Sequence, residues 1–181
     1  WYGSERLIRE QIGVSDRWMD FVADKHPDLV IEHGISDHEM LGERPRALTS
    51  TSFYYQAARL MEQLHLLLGQ GGPAKEYAEL AGRIKKAFND KFLQEEECRY
   101  ADGSQTAQAF ALYPEGLTPD ACEDKALQVL LDGIREKDDH FTVGIFGTKY
   151  LYHILTAAGR ADLAYRVANQ DTFPSYGHML A

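Results

Sequence analysis

Three stretches of the chain gather side chains that can bind hydroxyl groups. Each combines carboxylates with hydroxyl, amide or imidazole groups around a glycine, and the third adds Phe141. Carboxylates hold hydroxyl groups through charge-assisted hydrogen bonds, and aromatic faces cover the apolar C–H side of a ring-shaped ligand. This combination suits a neutral, polyhydroxylated ligand such as a sugar. The stretches are residues 34–39 (Gly-Ile-Ser-Asp-His-Glu), 102–106 (Asp-Gly-Ser-Gln-Thr) and 138–144 (Asp-Asp-His-Phe-Thr-Val-Gly).

Other chemistries find less support in the same residues. The Asp-Gly pair of the second stretch is typical of a turn, and the aspartates of the third can solvate a helix end. His33 and His38 lie near Glu32 and Asp37, but their spacing matches no recognised metal-ligand pattern, so we expect no metal. The sequence has no GxSxG, P-loop or GxGxxG motif. Acyl transfer and nucleotide chemistry therefore lack support, and we expect no cofactor.

Charge and hydropathy exclude two classes of partner. The chain has 19 lysines and arginines against 28 aspartates and glutamates, which gives a formal net charge of −9. Nucleic-acid binding needs a basic face, so we expect no nucleic-acid partner. No apolar run approaches the roughly 20 residues that cross a bilayer, so we expect no membrane partner. No basic segment followed by an apolar stretch opens the sequence, and no signal peptide is visible.

The two cysteines, Cys98 and Cys122, have neither CxxC spacing nor a histidine at metal-ligand spacing. We interpret them as free thiols. On that interpretation they do not fix the redox compartment.

The elements that must position the polar stretches are helices. Apolar residues recur at three- and four-residue steps, the spacing of one helix face, and few segments alternate with a period of two. The pattern therefore predicts an all-α chain with little or no sheet, and a long polar connection at residues 26–47. The predicted helices are residues 4–24, 50–68, 74–92, 104–113, 118–136, 148–158 and 161–169.

The order of these helices favours a toroid over a solenoid. A solenoid repeats with a fixed period, whereas the predicted helix starts are unevenly spaced and no consensus residue recurs. A toroid of alternating inner and outer helices tolerates uneven loops and builds its cleft from them. If alternate loops lie at the same end of the toroid, the three polar stretches face one cavity.

Several blocks of the sequence resemble the bacterial α-L-rhamnosidases, a glycoside hydrolase group with a six-hairpin (α/α)6 barrel. Their order and spacing match from about residue 30 onward. The single blocks are shared with other six-hairpin glycosidases, but together they are more specific. The blocks are residues 48–55, 102–113, 140–151, 159–165 and 174–180.

This resemblance implies inverting hydrolysis of terminal α-L-rhamnosyl groups, with an acid and a base carboxyl about 6.5–9.5 Å apart. In the family, the acid glutamate precedes the first helix predicted here and the base glutamate follows the last block. We therefore assign neither role to any residue. We expect residues 1–181 to be a single domain, a partial (α/α)6 toroid of antiparallel helical hairpins truncated at both ends, and inactive alone.

Two other functions stay open at this point. One is a six-hairpin glycosidase with a different sugar specificity, and the other is a helical binding or scaffold module without chemistry. A partial toroid would also leave an apolar edge exposed, which predicts self-association or contact with the missing part of the barrel. The resemblance points to a bacterium and leaves the compartment open between periplasmic or extracellular and cytoplasmic.

The resemblance also implies four substrate-binding candidates: Asp37, His38, His140 and Tyr176. Asp37 matches the aspartate of the family's Gly-x-Gly-Asp-Trp block, and His140 the histidine before its Thr-Thr-Gly turn. Tyr176 matches an aromatic residue, usually tryptophan, near the sugar. The chain departs from the family where Ser36 replaces glycine and His38 replaces tryptophan. The lost indole removes a stacking face, so the substrate or the placement of this loop is expected to differ.

Overall fold

Helices make up most of the chain in the computed structural model, which describes residues 3–180. The described part has eight helices and one two-stranded antiparallel hairpin, in which Leu93 lies opposite Tyr100. The elements are α1 (Arg6–Lys25), α2 (Arg46–Leu67), α3 (Gly71–Phe92), β1 (Leu93–Gln94), β2 (Arg99–Tyr100), α4 (Gln105–Leu112), α5 (Asp120–Arg135), α6 (Ile145–Ala157), α7 (Ala161–Ala168) and α8 (Tyr176–Leu180). This confirms the predicted all-α class, with strands limited to two residues each.

The helices form an inner and an outer layer of a partial (α/α)6 toroid. Helix α4 contacts both α2 and α6, and these three form the inner layer. Helices α3, α5 and α7 pack outside them as the second members of antiparallel hairpins. All residues of α4 from Gln105 to Ala111 are buried. Because three of them are alanines, the neighbouring helices can approach α4 closely on both sides.

The connections that lead into α2, α4, α6 and α8 are residues 26–45, 93–104, 136–144 and 169–175, whereas residues 68–70, 113–119 and 158–160 lead from the inner helices into α3, α5 and α7. Because successive helices are antiparallel, the connections of the first set collect at one end of the toroid. We call this the connection end, and the other the hairpin end.

An aromatic cluster joins the inner helices. Phe53 of α2 lies edge-on to Phe110 of α4 and Phe146 of α6, with ring centroids 5.3 and 5.2 Å apart. Phe110 also meets Tyr150 of α6 at 4.9 Å. Edge-to-face packing of this kind stabilises a core beyond the area that it buries. The cluster therefore fixes the spacing of three inner helices.

The expectation of free thiols is wrong. Cys98 and Cys122 form a disulfide with a Cα–Cα distance of 5.2 Å across 24 residues of sequence. The β1–β2 hairpin turns Cys98 back toward the start of α5, where Cys122 is buried. Because this proximity arises from tertiary structure, the linear spacing of the cysteines could not reveal it.

One face of α1 exposes an apolar stripe formed by Leu7, Val14, Trp18 and Phe21. The neighbouring face contributes Met19 and Val22 to the core. A helix that is apolar on more than one face is typical of one buried between two partners.

In residues 3–180, no helix has the length and apolar character needed to span a bilayer.

A polar network at the hairpin end ties α1 to the α2–α3 hairpin. Asp16 Oδ1 accepts a hydrogen bond from the Tyr77 hydroxyl at 2.8 Å and lies 2.9 Å from His65 Nε2. His65 Nδ1 lies 2.6 Å from Gln70 Oε1, and the imidazole stacks on the Tyr77 ring. This network fixes how α1 packs on its neighbours.

Asp16→Ala is expected to lower the free energy of unfolding by about 1–3 kcal/mol, because it leaves the His65 and Tyr77 donors without their acceptor. Denaturant unfolding followed by far-UV circular dichroism measures the loss. Asp20→Ala is the matched control, since Asp20 is an exposed carboxylate on the same helix. Equal stability of the two variants would contradict the role of the network.

Candidate functional site

Backbone hydrogen bonds join the three polar stretches at the connection end. Leu41 N–H donates to the Thr142 carbonyl at 2.9 Å, and Ile145 N–H donates to the His38 carbonyl at 2.8 Å. The Gln105 amide donates to the His140 carbonyl at 3.0 Å and accepts from Thr142 N–H at 2.9 Å. The stretches therefore form one continuous surface.

Asp37 lies beneath this surface, with 0% of the residue exposed. One carboxylate oxygen accepts from Gly144 N–H at 2.6 Å and from the Thr106 hydroxyl at 3.2 Å. The other accepts from Phe146 N–H and Gly147 N–H, each at 3.0 Å. Its carboxylate is thus fully bonded within the protein and is not presented to solvent.

The backbone around Asp37 needs two glycines at the start of α6, one at the N-cap and one in the first turn. Gly144, the N-cap of α6, has no side chain with which to cap the helix. A Cβ atom there would overlap the His38 carbonyl oxygen, and one on Gly147 would overlap the Asp37 carboxylate. The absence of these side chains lets Asp37 reach the helix N-terminus and cap it from a distant part of the sequence.

His38 presents its imidazole to solvent directly after the buried aspartate. Its Nε2 lies 3.3 Å from Glu39 Oε1, and both side chains are exposed. Ser36 and Glu39 have φ values of 62° and 66°, in the left-handed region that favours glycine. The positive φ at position 36 explains why the family has glycine there. Ser36 adopts this left-handed backbone conformation, and its side chain is buried.

The His140 side chain hydrogen-bonds to other residues of the protein and so stabilises the third stretch. Its Nδ1 lies 2.9 Å from both the Lys137 and Asp138 carbonyl oxygens, so this nitrogen carries a proton and donates. Its Nε2 lies 2.8 Å from Thr172 Oγ1. The buried imidazole therefore ties residues 137–140 to the connection that precedes α8.

Tyr176 begins α8 and is 39% exposed. Its ring packs against Phe141, with centroids 5.3 Å apart. Tyr176 also lies near the hydroxyl of Tyr152 in α6. Burial, and to a lesser extent this neighbour, raises the pKa of Tyr152 above the ordinary value of a tyrosine. Tyr176 therefore rests on the third stretch and presents part of its ring at the connection end.

The Asp-Gly pair of the second stretch forms a turn. Gly103 has a φ of 75°, and Asp102 Oδ1 accepts from Ser104 N–H at 3.0 Å. Ser104 in turn caps α4 by accepting from Ala107 N–H. Asp102 and Ser104 thus shape the start of an inner helix.

A groove of about 1010 Å³ opens at the connection end, and of the four candidates only His140 lines it. Its walls include Gln105, His140, Thr142, Arg99 and Phe173. Sequence reasoning counted Gln105 among the hydroxyl-binding side chains but missed that it bridges two stretches, and it gave no role to Thr172, which binds His140. An amide at the start of a buried helix was the available signal for Gln105. No signal in the sequence linked Thr172 to a histidine 32 residues away.

Residues 3–180 contain no group of three or more histidine, cysteine or acidic side chains arranged to hold a metal ion.

The two helix layers, with polar connections gathered at one end, define part of a six-hairpin glycosidase barrel. Solved structures share this arrangement. The α-L-rhamnosidase from Dictyoglumus thermophilum matches 99% of this chain with a TM-score of 0.91 and 33% identity, over 21% of its own length. Streptomyces avermitilis α-L-rhamnosidase complexed with L-rhamnose matches 99% of this chain with a TM-score of 0.92 and 28% identity, over 17% of its own length.

The chain belongs to the bacterial α-L-rhamnosidase six-hairpin glycosidase domain family, whose model matches residues 1–181. The Streptomyces avermitilis α-L-rhamnosidase is 29% identical over 180 residues, 98% of this chain and 17% of the relative. An Alteromonas α-L-rhamnosidase is 30% identical over 136 residues, 75% of this chain and 15% of the relative. The chain thus spans less than a fifth of these curated relatives' length.

Proposed function

We propose that the protein carrying this chain is an inverting glycoside hydrolase that cleaves terminal α-L-rhamnosyl groups. The observation that carries the proposal is the family match over the whole chain. The fold shared with a relative solved in complex with L-rhamnose supports the same substrate class. The residues at the connection end suit this substrate, because they combine hydrogen-bonding side chains with an aromatic face.

Within this proposal, residues 1–181 form one domain that supplies part of the barrel and one wall of the sugar cleft. His38 and Tyr176 contact the sugar, because their side chains reach the surface. Asp37 and His140 do not contact the sugar in this proposal. Their hydrogen bonds fix the positions of the connections that carry His38 and Tyr176. The acid and base carboxyls come from other parts of the polypeptide, and further helices of the barrel cover the apolar stripe of α1.

A panel of p-nitrophenyl glycosides, offered to the full-length protein, tests the substrate class. We expect kcat/KM to be highest for the α-L-rhamnoside, and we expect no turnover by the isolated 181-residue chain. Faster cleavage of another sugar would instead favour a six-hairpin glycosidase of different specificity. His38 stands where the family has tryptophan, and the lost stacking face is a reason to test other sugars. No turnover of any glycoside would overturn the enzymatic proposal.

Tyr176→Ala in the full-length protein is expected to lower kcat/KM for the α-L-rhamnoside by about two- to tenfold, because losing an aromatic face costs roughly 0.5–1.5 kcal/mol. Steady-state kinetics measures the change. Tyr165→Ala is the control, since Tyr165 is 71% exposed on the outer helix α7. An unchanged kcat/KM for Tyr176→Ala would remove this residue from the cleft.

A further inference from the structure

The buried carboxylate of Asp37 is the only side chain in residues 3–180 that hydrogen-bonds to both α4 and the start of α6. It accepts four hydrogen bonds, one from the Thr106 hydroxyl and three from backbone N–H groups at the start of α6. No cation pairs with it at hydrogen-bond distance among the described residues. Its charge is instead stabilised by the positive end of the α6 dipole and by the N–H groups that the helix leaves unpaired.

We propose that Asp37 is a positioning residue, which sets the affinity of the cleft for its sugar without touching the sugar. The inference rests on the proposed function and assigns Asp37 a different task from that of His38. Asp37 joins its own connection to α4 and α6, so it fixes the relative positions of three elements at the connection end.

The link from Asp37 to the ligand runs through the next residue. The His38 carbonyl accepts from Ile145 N–H at 2.8 Å, and Gly144 leaves room for this approach. Residues 37 and 38 are therefore fastened to α6 by both a side chain and the backbone, while the His38 imidazole stays exposed. A shift of this connection would move the His38 imidazole away from the sugar that it is proposed to bind, so the loss is expected in KM.

Asparagine cannot replace the carboxylate here. Whichever way its amide is placed, the NH₂ group faces at least one backbone N–H and cannot accept from it. Either Gly144 N–H loses its acceptor while the Thr106 hydroxyl turns to accept from the amide, or Phe146 N–H and Gly147 N–H both lose theirs. Because those groups are buried or half-buried, the connection must shift to relieve the conflict.

The test compares Asp37→Asn with Asp16→Ala in the full-length protein, with p-nitrophenyl α-L-rhamnoside as substrate. We expect Asp37→Asn to raise KM at least tenfold and to change kcat less than threefold, since His38 is proposed to bind sugar and not to transfer a proton. Asp16→Ala, which breaks a polar network at the hairpin end, is expected to lower the unfolding temperature with KM within twofold of wild type. An unchanged KM in Asp37→Asn, or an equal rise in Asp16→Ala, would overturn the inference.

Thr106→Val provides a milder variant in case Asp37→Asn does not fold. It removes a single hydrogen bond of 3.2 Å while keeping the side-chain shape. We expect a KM increase of about two- to threefold, and no increase would count against the positioning role.

Hydrogen exchange separates failure of this inference from failure of the proposed function. If the wild-type protein cleaves no rhamnoside, the proposed function fails, but the role of Asp37 can still be measured. Peptides covering residues 34–41 and 142–148 should exchange at least tenfold faster in Asp37→Asn, or measurably faster in Thr106→Val, than in Asp16→Ala. Equal exchange in these peptides would show that Asp37 does not position the connections.

Discussion

Replacing Phe110 by alanine is expected to lower the free energy of unfolding by about 3–5 kcal/mol, the range for truncating a buried phenylalanine. Phe110 is 0% exposed and lies at the middle of the inner layer. It contacts Phe53 of α2 and Tyr150 of α6 edge-on, so its loss leaves a cavity that faces two helices. The surrounding side chains belong to different helices and can close that cavity only in part.

Denaturant unfolding followed by far-UV circular dichroism measures this loss. Tyr165→Ala is a suitable control, because truncating an exposed aromatic residue usually changes stability by less than about 0.5 kcal/mol. A loss below about 1 kcal/mol for Phe110→Ala would mean that the aromatic cluster does not hold the inner helices together.

Removing the disulfide is expected to cost about 3.4 kcal/mol, the chain-entropy value for a link across 24 residues. The link fastens the β1–β2 turn to the start of α5, and both sulfur-bearing residues are buried. Replacing Cys98 and Cys122 together by serine removes the link without leaving an unpaired thiol. The unfolding midpoint of this double variant measures the effect.

Treatment with a reductant supplies the control for the disulfide. Reduction should bring the wild-type protein to the stability of the double serine variant and leave that variant unchanged. Titration of two free thiols in the untreated protein, together with an unfolding midpoint that does not respond to reductant, would contradict the link.

Helix interiors were predictable from the sequence, but several boundaries were not. The apolar spacing predicted a helix over residues 74–92, and α3 ends at Phe92 as expected. Helix α2 begins four residues before the predicted start, because the Pro45 carbonyl accepts from Thr49 N–H at 3.0 Å. Helix α8 was not predicted. It is five residues long and starts where Ser175 Oγ accepts from His178 N–H.

The grouping of the polar stretches was predictable, whereas the detailed role of their members was not. Alternation of inner and outer helices places every connection that leads into an inner helix at one end, so the meeting of residues 34–39 with 138–144 follows from topology. The hydrogen-bond partners of Asp37, in contrast, could not be predicted from topology. Gly144 lies 107 residues away in sequence, and no local pattern shows that a helix N-terminus there will lack its own cap.

The most direct test of the account is hydrogen exchange of the full-length protein with and without saturating L-rhamnose. We expect the sugar to slow exchange at the connection end, in residues 34–41, 138–144 and 170–178. Exchange at the hairpin end, in residues 65–77, 113–119 and 158–160, should not change. Protection confined to the hairpin end, or none in this chain while the protein hydrolyses rhamnosides, would contradict the placement of the sugar cleft.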